Sequence, residues 1–251
     1  MKRLRRRPLV LGHRGYRARF PENTLLAFRE AMAAGAQGVE CDLQKTRDGR
    51  YVVIHDPSTG RVSGADRAVA SSRLEELLAL DFGGGEKIAT LEELCELLRP
   101  DGWLDLELKE ETIRPEDCPA IASALSGIPP HRLMISSFDA GLLVPFRETG
   151  ITVGFLVGEE AASRGLLGFM RLLRLVRPAY VNLPIDMLRR VGIRRATVLT
   201  RLLRLAGFRI LFWTVNEAEE MAFASAHGDV IVTDEVEKVV DFLDKRKTTV
   251  S

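Results

Sequence analysis

The sequence predicts an α/β fold, a single (β/α)8 TIM barrel with a small insertion in the second βα loop, on three observations. Apolar strand-like runs alternate with helical patterns along the whole chain, which implies a parallel sheet with helices outside it. The alternation gives eight strands, each followed by a helix, in 251 residues, a length suited to closure into one barrel. The polar residues that break the apolar runs fall at the C-terminal strand ends, where such barrels carry their chemistry. A doubly wound open sheet is the competing architecture. It usually carries a glycine-rich phosphate turn after its first strand, and His13-Arg14-Gly15 is not one. No repeat, linker or low-complexity segment divides the chain, so residues 1–251 read as one domain, with 57–88 as the insertion.

Residues 8–12 read as the first strand and 24–35 as a helix ended by glycine. The second strand region comprises 38–45 and 51–55. In its first part Glu40 and Asp42 share one face while Val39, Cys41 and Leu43 share the other, so two carboxylates aim at one point. Burying that pair is costly unless a cation lies between them, and a hard divalent ion with oxygen ligands is the natural candidate. After the insertion, Thr90-Leu91-Glu92-Glu93 is a capping-box pattern that opens a helix over 91–98. Residues 102–109 form the third strand. Its leucines share one face and Asp105, Glu107 and Lys109 the other, which brings Glu107 beside Glu40 and Asp42 in the barrel mouth. A helix over 115–126, a strand over 133–136 and a helix over 139–149 follow. Strands at 151–157, 179–183, 208–213 and 229–233 complete the eight, with helical patterns at 161–176, 195–206, 217–226 and 235–244.

With 46% hydrophobic and 28% charged residues the composition is that of an ordinary soluble globular protein. Cys41, Cys95 and Cys118 are odd in number and lack CxxC spacing, which argues against a disulfide framework or a zinc site and for a reducing compartment. The basic start at residues 1–7 is followed by an apolar run only over 9–11, too short for a signal peptide or a membrane span, so a cytoplasmic location is expected. The net charge of +1 conceals an asymmetry: residues 161–210 hold eleven arginines against one acid, Asp186. The plain reading is solvated helix faces; the functional one is a surface that rests on anionic lipid or draws in an anionic substrate.

Several spaced motifs then converge. His13-Arg14-Gly15, Pro21-Glu22-Asn23-Thr24, Phe28, Gly35-Ala36, Glu40-x-Asp42, Thr46-x-Asp48-Gly49 and His55-Asp56 closely resemble the glycerophosphodiester phosphodiesterase family. Glu107-x-Lys109, Ser137-Phe138, Trp213-Thr214-Val215-Asn216 and Thr233-Asp234 match its later motifs in order, so the resemblance covers nearly the whole chain. It implies a TIM barrel with a small insertion after the second strand. It also implies one divalent cation and hydrolysis of glycerophosphodiesters to an alcohol and sn-glycerol 3-phosphate, a step of lipid and glycerol metabolism. Carried over position by position, it makes Glu40, Asp42 and Glu107 the metal ligands, His13 and His55 the general acid and base, and Arg14 and Lys109 the phosphate binders. The chemistry asks for the same types. Cations must offset charge on the non-bridging oxygens of an anionic diester, and histidine serves as acid or base near neutrality.

Other residues carry competing readings. Glu22 and Asn23 cap the helix that opens near Thr24, while the resemblance adds a metal-side contact for Glu22. Trp213, at a strand end, walls the pocket against the glycerol or the leaving group. Asp105 stands where the family commonly shows asparagine and is expected as a partner of Lys109 or a ligand. Cys41 reads as inert packing, and His131 and His227 as structural hydrogen-bonders. Within the insertion only Ser58-Thr59-Gly60-Arg61 remains of the family's usual string, and Ala89 and Val236 replace familiar prolines. The expected partner is a small-molecule phosphodiester and not nucleic acid. Peripheral contact with an anionic membrane through the arginine-rich segment would suit the alternative activity, a lysophospholipase D. A barrel that bound phosphodiesters without hydrolysing them would show gaps in this constellation, and none is present. Three carboxylates plus water suit Mg2+ and Ca2+ equally.

Overall fold

Short aliphatic runs supply ten strands in the computed structural model, which describes residues 7–99 and 101–248. They are β1 (Leu9–His13), β2 (Gly38–Lys45), β3 (Tyr51–Val53), β4 (Ala89–Thr90), β5 (Trp103–Leu108), β6 (Leu133–Ser137), β7 (Thr152–Leu156), β8 (Tyr180–Pro184), β9 (Arg209–Trp213) and β10 (Val230–Thr233). Eight of them, β1, β2 and β5 to β10, pair in parallel around a ring that β1 closes by pairing with both β10 and β2. This is the (β/α)8 barrel. The basic start of the chain lies, for residues 1–6, outside the described residues. Among the described residues no helix is long and apolar enough to cross a membrane.

Alternation along the strands sorts the core into two layers. Val10, Val39, Leu43, Leu106, Phe212 and Ile231 point outward into one large cluster with helix residues such as Phe28, Leu94, Ile121 and Val239. Inward, Leu11, Met134, Tyr180, Leu211, Val230 and Val232 fill the lumen. Both faces of β2 are buried, as a strand in a parallel barrel requires. The lumen is therefore apolar below and polar at the mouth.

Residues 51–55, expected within the second strand region, form a separate strand over Tyr51–Val53 that is not part of the barrel wall. β3 turns back antiparallel onto β2, with Leu43 opposite Val53, and β4 pairs antiparallel with β3. The segment that follows carries short helices at Gly60–Ser63 and Leu74–Leu78 over its own small core of Val52, Ile54, Val69, Leu77, Phe82 and Ile88. The chain leaving β3 is pinned over the mouth by Gln44, whose Nε2 donates to the carbonyls of Ile54, His55 and Asp56 at 3.2, 3.0 and 2.6 Å.

The helices over Leu25–Ala33, Leu91–Leu98, Ala218–His227 and Val236–Thr248 lie close to their expected positions, but others are interrupted. The stretch after β6 is α-helical only over Ala140–Leu143 and continues as a 3-10 helix over Val144–Glu148, because Pro145 offers no N–H to the α ladder. Gly165, at φ +65°, separates Glu159–Ser163 from Gly165–Val176. Gly192, at φ +80°, separates an additional helix, Met187–Val191, from Ile193–Leu205. Residues 115–126 become 3-10 turns on either side of a helix at Cys118–Ala124.

The turn after β1 depends on a close approach. Gly15 has φ +84°, and a Cβ there would lie 2.6 Å from the backbone carbon of Ala27, in the first helix. Gly49, at φ +77°, has nothing within 4 Å. Replacing Gly49 with alanine should therefore cost only the left-handed conformation, about 1 kcal/mol, whereas Gly15→Ala should cost clearly more. Urea denaturation of both variants measures this, and equal losses would show that the packing of the first helix does not depend on Gly15.

Candidate active site

Parallel register carries chemistry from strand to strand. His13 on β1 lies opposite Glu40 on β2, and Glu40 opposite Asp105 on β5. Two residues further up, Asp42 lies opposite Glu107, and Glu107 opposite Ser136 on β6. Side chains at matched register point the same way, so the carboxylates of Glu40, Asp42 and Glu107 converge in the mouth. All three are buried, and one oxygen from each lies within 4.8 Å of the others.

So much buried negative charge requires compensation. Lys109 Nζ supplies part of it, 2.8 Å from Asp42 Oδ1 and 2.5 Å from Glu107 Oε1. Arg14 supplies more: its Nε lies 3.3 Å from Asp42 Oδ2, its Nη1 donates to Glu22 at 2.9 Å, and its backbone N–H donates to Glu40 at 3.1 Å. Arg14 adopts a left-handed φ of +52°, a strained conformation for a side-chain-bearing residue that fits a functional site. Asn23, also left-handed at φ +58°, donates from Nδ2 to Asp42 at 2.9 Å.

The compensation is uneven. Burial pushes Asp42 upward, but Lys109, Arg14 and His55 together overcome it and hold Asp42 below the usual carboxylate range. Glu40 goes the other way: burial first, then Asp42, Glu107 and Asp105, raise it well above its ordinary value. Glu107 is pushed up to about 7 by burial, against the pull of Lys109. Asp105 is likewise raised to about 7 by burial, although the Ser136 hydroxyl donates to it at 2.7 Å. Asp105 thus pairs with Ser136, not with Lys109, and stands outside the converging trio. The unsatisfied charge and the all-oxygen donor set fit a hard divalent cation, with Glu40, Asp42 and Glu107 as its holders.

Each histidine is tethered through Nδ1 to a carboxylate. His13 Nδ1 lies 2.7 Å from Asp234 Oδ1, and His55 Nδ1 lies 2.7 Å from Asp56 Oδ1. A carboxylate at Nδ1 favours the proton there and leaves Nε2 with the lone pair of the neutral ring. His13 Nε2 faces the trio, 3.9 Å from Glu40 Oε2. Burial holds the pKa of His55 below its ordinary value, with the Asp42 charge opposing. The tethers are themselves held. Asn216 donates to Asp234 at 2.9 Å and accepts from the Asp234 N–H at 3.0 Å. Arg61 donates to Asp56 at 2.5 Å and reaches both oxygens of Glu22 at 2.9 and 2.7 Å. Those bonds pull Asp56 down to about 2, Arg61 being the main cause.

These groups line one cavity of about 290 Å³ with His13, Arg14, Glu40, His55, Glu107 and Lys109 on its walls and Leu156, Leu211 and Val232 among its apolar residues. Trp213 and Phe138 close one side, edge to face at 5.8 Å between ring centres. Every residue singled out as catalytic, metal-holding or phosphate-binding therefore lies at or beside this cavity, Asp42 just beneath its surface. Two readings change. Glu22 pairs with Arg14, Arg17 and Arg61, and the helix is capped by Thr24, whose Oγ1 accepts from the Ala27 N–H at 3.2 Å. Asn23 braces Asp42. The tethering parts played by Asp234, Asn216 and Arg61 were not read from the sequence. The only local signals were Asp56 directly after His55 and the polar pair at the end of β10.

Comparison with known proteins bears on this geometry. A model of the glycerophosphoryl diester phosphodiesterase family matches residues 13–238. A glycerophosphodiester phosphodiesterase of Caldanaerobacter subterraneus subsp. tengcongensis is 30% identical over 253 residues, covering 94% of this chain and 98% of that protein. The crystal structure of the glycerophosphodiester phosphodiesterase of Thermotoga maritima is 33% identical, with a TM-score of 0.81 over 94% of this chain and 99% of that one. A phosphodiesterase of Oleispira antarctica, in complex with the product sn-glycerol-3-phosphate, is 25% identical, with a TM-score of 0.82 over 95% of this chain and 97% of that one.

The raised carboxylates make metal binding proton-linked. Glu107, at about 7 when folded against 4.5 ordinarily, binds more protons in the folded than in the unfolded chain between those values. Metal-free stability should then fall as pH rises through that window, while the depressed Asp42 acts in the opposite sense only at lower pH. A divalent cation needs the carboxylates deprotonated and removes the penalty. The rise in Tm on adding Mg2+ or Ca2+ to EDTA-stripped protein should be larger at pH 8 than at pH 5; a pH-independent rise would move the cation away from the trio.

Proposed function

Because the chain belongs to the glycerophosphoryl diester phosphodiesterase family, a family of hydrolases, we propose that it hydrolyses glycerophosphodiesters to an alcohol and sn-glycerol 3-phosphate with His13 and His55 as the acid–base pair. The observation that carries this reading is the pair of carboxylate-tethered histidines on one cavity that also holds the acidic trio and two cations. The product held by the Oleispira antarctica relative supports the choice of substrate.

Glu40, Asp42 and Glu107 hold one divalent cation, Mg2+ or Ca2+. When bound it supplies positive charge to the non-bridging phosphate oxygens. Arg14 and Lys109, fixed by their ion pairs at the cavity wall, add the remaining compensation. One histidine takes the proton of the attacking hydroxyl at Nε2. The other gives a proton to the alkoxide oxygen as its bond to phosphorus breaks. Asp234 and Asp56 keep a proton on Nδ1 throughout, so that the proton taken from the attacking hydroxyl or given to the departing alkoxide is carried by Nε2. Trp213 and Phe138 close the cavity against water on the side of the glycerol or the departing alcohol. Its volume, about 290 Å³, suits a small diester.

Release of sn-glycerol 3-phosphate from glycerophosphocholine should depend on added Mg2+ or Ca2+ and cease with EDTA. His13→Ala and His55→Ala should each lower turnover by about 10²- to 10⁴-fold at unchanged Tm, the usual contribution of a general acid or base. Turnover retained in either variant would remove that histidine from the chemistry. Asp234→Asn, which leaves the site intact but reverses the preference at His13 Nδ1, should cost about 10- to 100-fold. An unchanged rate would make that contact merely structural.

A further inference from the structure

We propose that the outer face formed by the helices Gly165–Val176 and Ile193–Leu205 is a docking surface for an anionic lipid bilayer. The proposal goes beyond hydrolysis and does not rest on it. Of the eleven large hydrophobic side chains exposed among the described residues, nine lie between residues 166 and 205. Leu166 and Leu167 are 75% and 78% exposed, Leu202 58% and Leu205 85%. Scattered exposed leucines need no explanation, but a cluster of this kind marks an interaction surface.

The charge on the same face is one-sided. Neither helix contains an acidic residue. On Ile193–Leu205, helical spacing puts Arg194, Arg201, Val198 and Leu205 on one outward arc, with Arg195 and Leu202 beside it; all are exposed. On Gly165–Val176, Leu167, Arg171, Arg174 and Leu175 share the outward arc in the same alternating manner. A barrel helix that faces only water carries carboxylates, lysines and amides there; this one offers arginine and aliphatic side chains alone. Arg204, on the half-buried side of Ile193–Leu205, is tied to Asp229, and Arg189, Arg190 and Arg209 outside the two helices are tied to Glu220, Asp186 and Tyr180, but Arg171, Arg174, Arg194, Arg195 and Arg201 have no ion-pair partner among the described residues.

Charge decides among occupants. A second copy meeting this face across a two-fold axis would set arginine against arginine. Nucleic acid would satisfy the arginines and leave the leucines in water. A bilayer with anionic headgroups takes both, the leucines at the acyl boundary and the guanidinium groups at the phosphates. The face is also continuous with the site. In a βα barrel each helix runs back from the strand's C-terminal end, so Leu166, Leu167 and Ile193 lie at the cavity end. A groove of about 680 Å³ lined by Leu183, Ile185, Val191 and Leu199 shares Trp213 and Thr214 with the cavity, and of the four acids on its wall Glu159, Asp186 and Glu220 are ion-paired with Arg190 or Arg189.

Co-sedimentation with vesicles of phosphatidylglycerol and phosphatidylcholine, set against pure phosphatidylcholine, tests this at low and high salt. The full chain should pellet with the anionic vesicles at low salt, and far less with neutral ones or at high salt. Replacing Arg194, Arg195 and Arg201 together by glutamine should weaken binding roughly 100-fold, at about a factor of five per arginine near an anionic surface. Leu202→Gln with Leu205→Gln should weaken it too, which distinguishes insertion from simple counterion attraction. All variants should keep the wild-type far-UV circular dichroism and Tm. Two results would overturn the proposal: no vesicle binding at low salt, or binding that neither set of substitutions alters. So would concentration-dependent self-association abolished by the leucine substitutions, because a second copy would then cover the face.

Discussion

The structure turns on the cost of placing three carboxylates together out of water. Glu40, Asp42 and Glu107 can converge only because two neighbouring parallel strands keep register and alternate their side chains, and because Lys109 and Arg14 reach in with positive charge. That compensation is incomplete. Asp42, touched by both cations and by Asn23, stays ionised, whereas Glu40 and Glu107 are driven toward protonation. The barrel below pays for this arrangement with an ordinary apolar lumen of leucine, valine, methionine and tyrosine. Without that packed floor the strands would have no reason to hold their tilt, and the acids no reason to meet.

Around the acids lies a network that fixes orientation. Gln44 ties down the chain that carries His55; Arg61 joins Asp56 to Glu22; Glu22 in turn grips Arg14. Arg61 thereby links the segment between β3 and β4 to the turn after β1 by ion pairs. Substitutions in that segment can reach the site through Arg61 without touching any group that lines the cavity.

Much of the fold was legible because it follows local rules. Period-two alternation identified the strands, and in 38–45 and 102–109 it placed all three carboxylates on the inward face. The helix breaks were not legible in the same way. Gly165 falls inside the helical pattern over 161–176, where a glycine is tolerated, and only its left-handed φ in the folded chain divides the helix; the helix over Met187–Val191, before Gly192, was not read at all. The strand character of 51–55 was legible, but its antiparallel return onto β2 was not, because periodicity does not report which partner a strand pairs with. Most opaque were the tethers. Asp234 meets His13 across 221 positions of sequence, and nothing local to either residue reports the contact. Glu22 looked like a cap because it precedes a helix, yet Arg14 and Arg17 from the turn after β1 and Arg61 from the segment after β3 claim it.

That contact between His13 and Asp234 also joins parts of the chain made far apart in time. β1 leaves the ribosome before β10, which it must pair with to close the ring. The acidic trio lies on β2 and β5, whereas His13 acquires its neighbouring carboxylate only when β10 arrives. Circularity thus imposes a temporal order on a site that looks simultaneous in space, since neither the closed ring nor the contact between His13 and Asp234 exists before β10 has paired with β1.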